Sequence, residues 1–566
     1  MTKLSDFVSA AKRDEHVWIS DVRRAFAEDA SAYEIYIVLE RLDGSQIEYA
    51  CPVPRWNTDD GFTFLADYLS AEIYNIFSVY SGRALTIYGD EGLHMLFETA
   101  FSRFYYDAGY KKVLKIAKRL SGAAPVMSHY PLRKRVPLRT GGEEGGRADI
   151  SGRISAAVGK VNSGAYCGID VGGTDIKLAA SLGGRLIAVK EYDWNPALFR
   201  RAESIKTPIL LLARLMAACI ANERAGGEVD MSPALSKSAD DAAIERAIRE
   251  VEKKLGKIKK LDAIGLSFPD IVIDNRIMGG ETPKTAGIRA DKTVDYEAEL
   301  AALSKLNDDL LTVANSVSAV NDGPMATFSA MCELAYSGAD TGAVFAHSLG
   351  TDLGSGWIDA AGNIRQIPLE CYDLLFDLGS YKSRYLPAQD MRSLRNENSG
   401  MAGARRYLGQ AAVYRLVWLK EPSLIRKFVD ESRGFPEIRT QPEDMRKPCF
   451  AYIMEQAAGH NKAAEDAFTQ VGVNLARITE ETEHLTRAGI NSRWLFGRFV
   501  KNRHCFELMS SGFASVLPNV KLIAADDDMA STPLMKQLAA RDDAAVAQFA
   551  QAISAIYYSE YKFEYK

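Results

Sequence analysis

A glycine turn between two apolar strands occurs twice in this chain, and the two copies constrain its fold more than any other feature. The first, "YCGIDVGGTDIKLAA" (166–180), reads strand, Asp170-Val-Gly-Gly-Thr-Asp175, strand. The following "SLGGRLIAVKEYDW" adds a second glycine turn and a third strand, so the spacing predicts a three-stranded antiparallel meander. Glycines in such turns often serve only to supply positive φ. A second copy argues for more. "GAVFAHSLGTDLGSGWIDAAGNIRQI" from Gly342 again reads strand, glycine turn, strand, glycine turn, strand. Gly173-Thr174-Asp175 matches Gly350-Thr351-Asp352 at an offset of 177. Two such hairpins facing each other across a cleft would aim N–H groups and threonine hydroxyls at one polyphosphate, where a Cβ would collide with the oxygens. No GxxxxGK[ST] occurs, and a strand rather than a helix follows the first turn, so neither a P-loop nor a dinucleotide fingerprint is present.

Around this pair the composition is that of a soluble globular protein with room for two to four domains: 566 residues, 47% hydrophobic, 25% charged. With 69 basic and 74 acidic residues there is no global field toward nucleic acid or an anionic membrane, and neither is expected as a partner. The longest apolar run, "PILLLARLMAACIA" from Pro208, is interrupted by Arg214 and short for a bilayer. "MTKLSDFVSAAKRDEH" lacks a signal-peptide core. The seven cysteines are scattered, never as CxxC, which suits reduced thiols and a cytoplasmic location, with no structural zinc site visible.

Residues 1–120 are aromatic-rich and mix a strand pair, "EIYIVLERLDGSQIEYACPV", with helical segments, predicting a small α/β domain with its own core. Residues 121–165 carry Pro, Gly and charge without a sustained period and read as a linker.

Five fragments in order resemble the actin-like sugar kinases, particularly the glucokinase and ROK (repressor, open reading frame, kinase) group. "GIDVGGTDIKLA" and "LGTDLGSG" resemble the two phosphate motifs. "LDAIGLSFPDIVIDNRI" resembles the strand into the proline turn, and "VANSVSAVNDGPMATFSAM" the segment with the catalytic Asn-Asp pair. "AAEDAFTQVGVNLARITEETEHL" with "RWLFGRFVKN" resembles the helix, strand and turn at the adenosine. The resemblance covers about Tyr166 to the C-terminus. It implies an α/β fold of two RNase H-like halves around a cleft, 166–320 and 321–566, with a helical insertion at about 375–450 beside the small N-terminal domain.

It also implies ATP and Mg²⁺. Gly172, Gly173, Thr174, Lys177, Gly350 and Thr351 would bind phosphate, and Gly497 and Arg498 the adenosine. Asp170 would hold Mg²⁺ through water, because an acidic residue beside a phosphate cradle otherwise repels ATP. Asp352 either orients the metal or closes its turn, and Lys177 is equally readable as a solvent-facing strand lysine. Asp322 stands between a strand and a helical pattern, as the general base for a sugar hydroxyl or as the helix cap. Asn321 would contact a neighbouring hydroxyl. Where the kinases place Gly-Glu-x-Gly-His, this chain reads "IPLECYDLLFDLG": Glu370 survives, and Asp373 stands at the histidine. The expected partners are a sugar and a nucleotide; the amphipathic stretch of the insertion reads first as packing against the large lobe, and otherwise as a cover for the sugar site or a homodimer contact. The alternative is a weak or inactive sugar- or nucleotide-binding regulator. A DNA-binding repressor is disfavoured, because "IYIVLERLDGSQIEYACPV" is a hairpin and no basic recognition helix follows a short turn.

Overall fold

A computed structural model describes residues 3–139, 149–339, 341–350, 353–395, 403–525, 529–542 and 544–561. Its N-terminal part opens with helices α1 (Lys3–Lys12) and α2 (Ile19–Ala27). Strands β1 (Tyr36–Glu40) and β2 (Gln46–Ala50) pair through a turn at Asp43-Gly44, with Gly44 at φ +83°, as the Asp-Gly signal predicts. β3 (Ala84–Gly89) and β4 (Val126–Pro131) complete a sheet of order β2-β1-β3-β4. Helix α3 (Asp59–Tyr80) is buried on every face over most of its length, the mark of a helix sandwiched between two layers. α4 (His94–Tyr106) and α5 (Ala108–Ser121) flank it.

Two expectations change here. The segment 121–165 is not a plain linker: it supplies edge strand β4, parallel to β3, and helix α6 (Ile150–Val161), buried through Ile154, Ala157 and Val161. The N-terminal part also lacks a separate core, since its buried residues form one continuous cluster with those of the C-terminal half.

The first half carries a sheet of order β9-β8-β5-β6-β7: β5 (Ala165–Val171), β6 (Asp175–Leu182), β7 (Arg185–Asp193), β8 (Ala263–Phe268) and β9 (Val317–Asn321). β5, β6 and β7 form the predicted antiparallel meander, and β8 and β9 continue it in parallel. Helix α7 (Ala202–Arg224) is long and apolar enough to cross a membrane by length and composition, contrary to the reading of its shorter apolar run. It is packed against this sheet and against α8 (Asp241–Leu255), and most of its side chains are buried.

The second half begins with helix α9 (Asp322–Ser337), followed by β10 (Val344–Leu349), β11 (Leu353–Ile358), β12 (Ser492–Gly497) and β13 (Lys521–Ala524), in the order β11-β10-β12-β13. Again an antiparallel hairpin is continued by parallel strands, so the two halves match as expected. The third strand of the second meander is reduced to one bridge, Ile358 to Ile364, because the chain beyond it hydrogen-bonds to the N-terminal part instead. Helix α10 (Gln410–Lys420), in the insertion, packs on α11 (Lys462–Thr486), which meets α12 (Arg503–Ala514).

The last helix, α13 (Val546–Tyr558), returns to the first half, so the boundary of 321–566 does not hold. It lies directly on β5 and β8: a Cβ at Gly168 would sit 1.8 Å from the Ala552 carbonyl oxygen, and one at Gly265 1.7 Å from that of Ala555. α9 and α13 meet between the two sheets, where Ser554 Oγ donates to Ser329 Oγ at 2.8 Å. All seven thiols are free and buried.

Candidate active site

The first glycine turn joins β5 to β6 and is closed by the Gly172 N–H donating to the Asp175 carbonyl at 2.8 Å. Trp194, just past β7, braces it from behind. Its ring N–H donates to the Gly172 carbonyl at 3.0 Å and its backbone N–H to the Thr174 carbonyl at 3.1 Å. Neither Gly172 nor Gly173 has positive φ. A Cβ at Gly172 would fall 2.8 Å from the Asp175 carbonyl oxygen, so Gly172 serves the closure of the turn itself, whereas nothing in the turn requires glycine at 173. A Cβ at Gly173 would find only Lys284 Cε, at 3.6 Å, and one at Gly350 nothing within 4 Å. The space in front of both turns is therefore open, on one cleft of about 610 Å³ that Gly172, Gly173, Thr174 and Gly350 line. Thr351 and Asp352 lie outside the described residues.

Asp322, at the first position of α9, lines the same cleft. The capping role falls on Asn321, whose Oδ1 accepts the Gly323 N–H at 2.9 Å; Asp322 Oδ1 shares that N–H at 3.0 Å. Asn321 Nδ2 donates to the Asp270 carbonyl at 2.7 Å, so both ends of its amide are engaged in holding the strand-to-helix corner. Gly323 allows α9 to touch β11, since its Cβ would fall 2.1 Å from the Ser355 carbonyl oxygen. The base candidate thus stands on a rigid corner.

Asp170, the penultimate residue of β5, accepts a hydrogen bond from Ser267 Oγ at 2.9 Å. Burial pushes its carboxyl up to about 6; Lys177 opposes that shift, while Asp322 and Asp175 reinforce it. Lys177 lies opposite Asp170 in the β5/β6 register and ion-pairs with Asp175. Burial disfavours its charge, but the two carboxylates outweigh that and hold the ammonium above its ordinary range. Lys177 is thus a counter-charge to the acidic cluster rather than the phosphate ligand predicted. Asp170, Asp175 and Asp322 outnumber it, and this surplus of negative charge beside the glycine turns suits a divalent cation.

Gly497 ends β12 at φ +103°, and a Cβ there would lie 2.2 Å from the Leu349 carbonyl oxygen, so only glycine fits beside the second turn. Gly497 and Arg498 line both the cleft and an adjoining cavity of about 1130 Å³, the position expected for adenosine.

On the acceptor side the structure keeps Glu370 and removes Asp373. Glu370 lines the cleft, is 7% exposed, and has its Oε2 buried without a hydrogen-bond partner. Asp373 is 2% exposed and ion-pairs with Lys112 of α5, so it holds the N-terminal part in place and does not read a substrate. Lys112 also donates to Tyr372 OH at 3.2 Å, and Tyr372 lines the cleft with Glu370. The Leu369 and Glu370 N–H groups donate to the last carbonyls of α3, Val79 at 3.0 Å and Ser78 at 3.0 Å, with Leu369 at φ +48°. Further along, Asn75 and Leu375 exchange two hydrogen bonds, at 2.8 and 2.9 Å. The acceptor loop is built on the N-terminal part. From the insertion, the Gln410 N–H donates to the Gly350 carbonyl at 3.1 Å, and Arg405, Arg446 and Lys447 line the cleft.

Sequence reasoning missed Trp194, Lys112, Tyr372 and these insertion residues. Only Trp194 carries a local signal, an aromatic immediately after the meander.

Burial pushes the Glu370 carboxyl up to about 8, with Lys112 opposing and Asp373 adding to the shift. The folded chain therefore binds this proton more tightly than the unfolded chain, whose glutamate titrates near the ordinary 4.5. The contribution is complete below that value and lost as pH rises toward 8. The melting temperature of the native chain should fall more steeply between about pH 5 and pH 8 than that of Glu370→Gln; equal slopes would contradict the assignment.

The fold sets the two glycine turns on one cleft between two matching sheets, and solved structures resemble it. No protein-family pattern matches the chain, and no curated protein matches it in sequence. The structure is similar to ROK family sugar kinases. One is a glucokinase from Streptomyces griseus in complex with glucose and AMPPNP: 16% identity, TM-score 0.40, covering 70% of this chain and 99% of that one. Another is a ROK hexokinase from Thermus thermophilus: 16% identity, TM-score 0.35, covering 69% and 98%. A ROK family transcriptional regulator, homologous to the E. coli MLC protein, is similar as well: 13% identity, TM-score 0.37, covering 69% and 81%.

Proposed function

We propose that the protein transfers the γ-phosphoryl group of ATP to a hydroxyl of a sugar. The observation that carries this reading is that Gly173 and Gly350 face open space on one cleft with Asp322 at its corner, although neither glycine is required by its own backbone. The two turns would hold the phosphates with backbone N–H groups and the Thr174 hydroxyl. Gly497 and Arg498 would flank the nucleoside. Asp170, fixed by Ser267 and balanced by Lys177, would hold Mg²⁺ through water, and the ion supplies charge neutralisation on the phosphates. Glu370 would meet a substrate hydroxyl through its unpartnered oxygen; held protonated at neutral pH, it can also donate.

In the transfer, the acceptor hydroxyl gives its proton to the Asp322 carboxylate as its oxygen forms the new bond to the γ-phosphorus. The bond from that phosphorus to the bridging oxygen breaks, and the electron pair leaves with ADP. Closure of the halves would exclude water and limit idle ATP hydrolysis.

A second reading, a sugar or nucleotide sensor without turnover, is favoured by the commitment of Asp373 to Lys112, which leaves Glu370 alone of the two expected acceptor-side carboxyls in the cleft. ADP release from Mg·ATP across hexoses, amino sugars and N-acetyl sugars, run beside thermal shifts with the same ligands, separates the two. Kinase activity requires at least one sugar to raise ADP release above the sugar-free rate. Shifts without turnover select the sensor, and the absence of both overturns the proposal.

A further inference from the structure

Four of the seven histidines fall into two groups that each add a glutamate, and both groups lie away from the cleft. We propose that one of them, His94, Glu98 and His129, is a binding site for a divalent transition metal of the zinc type, tying helix α4 to edge strand β4.

His94 opens α4 and Glu98 follows one turn later, so the two share a helix face. His129 comes from β4, its ring set against those of Phe97 and Phe101 at 5.5 and 6.3 Å. His129 Nε2 lies 3.2 Å from His94 Nδ1 and 3.0 Å from Glu98 Oε1, and the three residues offer one ligand atom each within 4.8 Å of one another. A tetrahedral zinc with nitrogen and oxygen ligands at about 2.0–2.2 Å separates its ligand atoms by about 3.3 Å. The spacing found is close to two edges of such a tetrahedron. Two imidazoles and a carboxylate are a known zinc-competent donor set, and the exposure of His94 and Glu98 leaves a fourth position to water.

Without an ion the arrangement is frustrated. The hub is a single ring nitrogen, which carries either a proton or a lone pair. With a proton, His129 Nε2 donates to Glu98 and leaves His94 Nδ1 either sharing that proton off-line or turning its own N–H against it. With a lone pair, it accepts from His94 and faces the lone pairs of Glu98. A cation accepts all three lone pairs at once.

The second group makes the contrast. In it, His460 Nδ1 at 2.9 Å and His504 Nε2 at 3.2 Å both meet Glu465 Oε1. There the hub is a carboxylate oxygen that can accept two N–H bonds, so this group is satisfied as it stands.

The consequence is local. Among the described residues β4 pairs only with β3, and the chain leaving it runs along β2, where the Gln46 N–H donates to the Arg139 carbonyl at 2.8 Å. A metal on His129 would pin this edge strand to α4 from the other side. The test uses the full chain without a histidine tag, freed of metal by a chelator and titrated with Zn²⁺ by calorimetry, and with Co²⁺ by visible absorption. One equivalent should bind, with the absorption of four-coordinate Co²⁺. Losing even a group that merely orients a ligand costs about 10–100-fold in affinity. His129→Gln and the exposed His94→Gln should therefore each weaken binding by at least about tenfold, while His504→Gln leaves it unchanged. No binding to the native chain, or binding that survives both His94→Gln and His129→Gln, overturns the proposal.

Discussion

Lys112→Met should destabilise the protein by about 3–5 kcal/mol, the cost of stranding a buried charge when its partner is removed. Lys112 and Asp373 are 3% and 2% exposed at their side chains, so water cannot take over from the missing ammonium. The loss should appear as a lower urea midpoint in tryptophan fluorescence. It should be largely recovered in Lys112→Met/Asp373→Leu, because replacing both members of a buried pair with apolar groups is close to neutral. Lys112→Met also removes the donor to Tyr372, which lines the cleft with Glu370, so the sugar KM should rise by more than kcat falls. A loss below about 1 kcal/mol would place the pair in the class of solvent-screened surface bridges and contradict the account of the N-terminal part as the acceptor loop's support.

That support was invisible in the sequence for a physical reason. Lys112 and Asp373 are 261 positions apart, and "GYKKVLKIAK" offers no mark to distinguish Lys112 from its solvent-facing neighbours. The same hidden contact misled the reading of Asp373, whose place in the motif said nothing of what lay behind it. The glycine turns were legible because they recur: Gly173-Thr174-Asp175 and Gly350-Thr351-Asp352 are a local pattern that needs no long-range contact to be read. Asp322 was legible as a residue between a strand and a helix, whereas the capping role of Asn321 needed the coordinates. Gly168 and Gly265 carried a signal that went unread: glycine inside a strand marks close backbone approach, and here it marks α13 returning across the first sheet. The missing third strand shows the converse. "GNIRQI" has strand character, yet the chain beyond Ile364 bonds to α3 and to the start of α2, where the Ile19 N–H donates to the Phe376 carbonyl at 2.9 Å.

The largest effect on activity should come from Asp322→Asn. The amide keeps the shape of the side chain and a hydrogen-bond acceptor toward Gly323, so the corner held by Asn321 should stand. It cannot take the hydroxyl proton, and loss of a general base costs about 10²–10⁴-fold in rate. Removing one of the carboxylates that crowd Asp170 should also lower the Asp170 pKa from about 6, so ATP and sugar binding should persist or tighten slightly. The most direct measurement is therefore sugar-dependent ADP release by the native chain and by Asp322→Asn, with ATP and sugar affinities measured on both by calorimetry. Turnover that falls by about 10² or more while both ligands still bind is the predicted result. Turnover that survives the substitution within a few-fold would contradict the claim that these two glycine turns and Asp322 form a phosphoryl-transfer site.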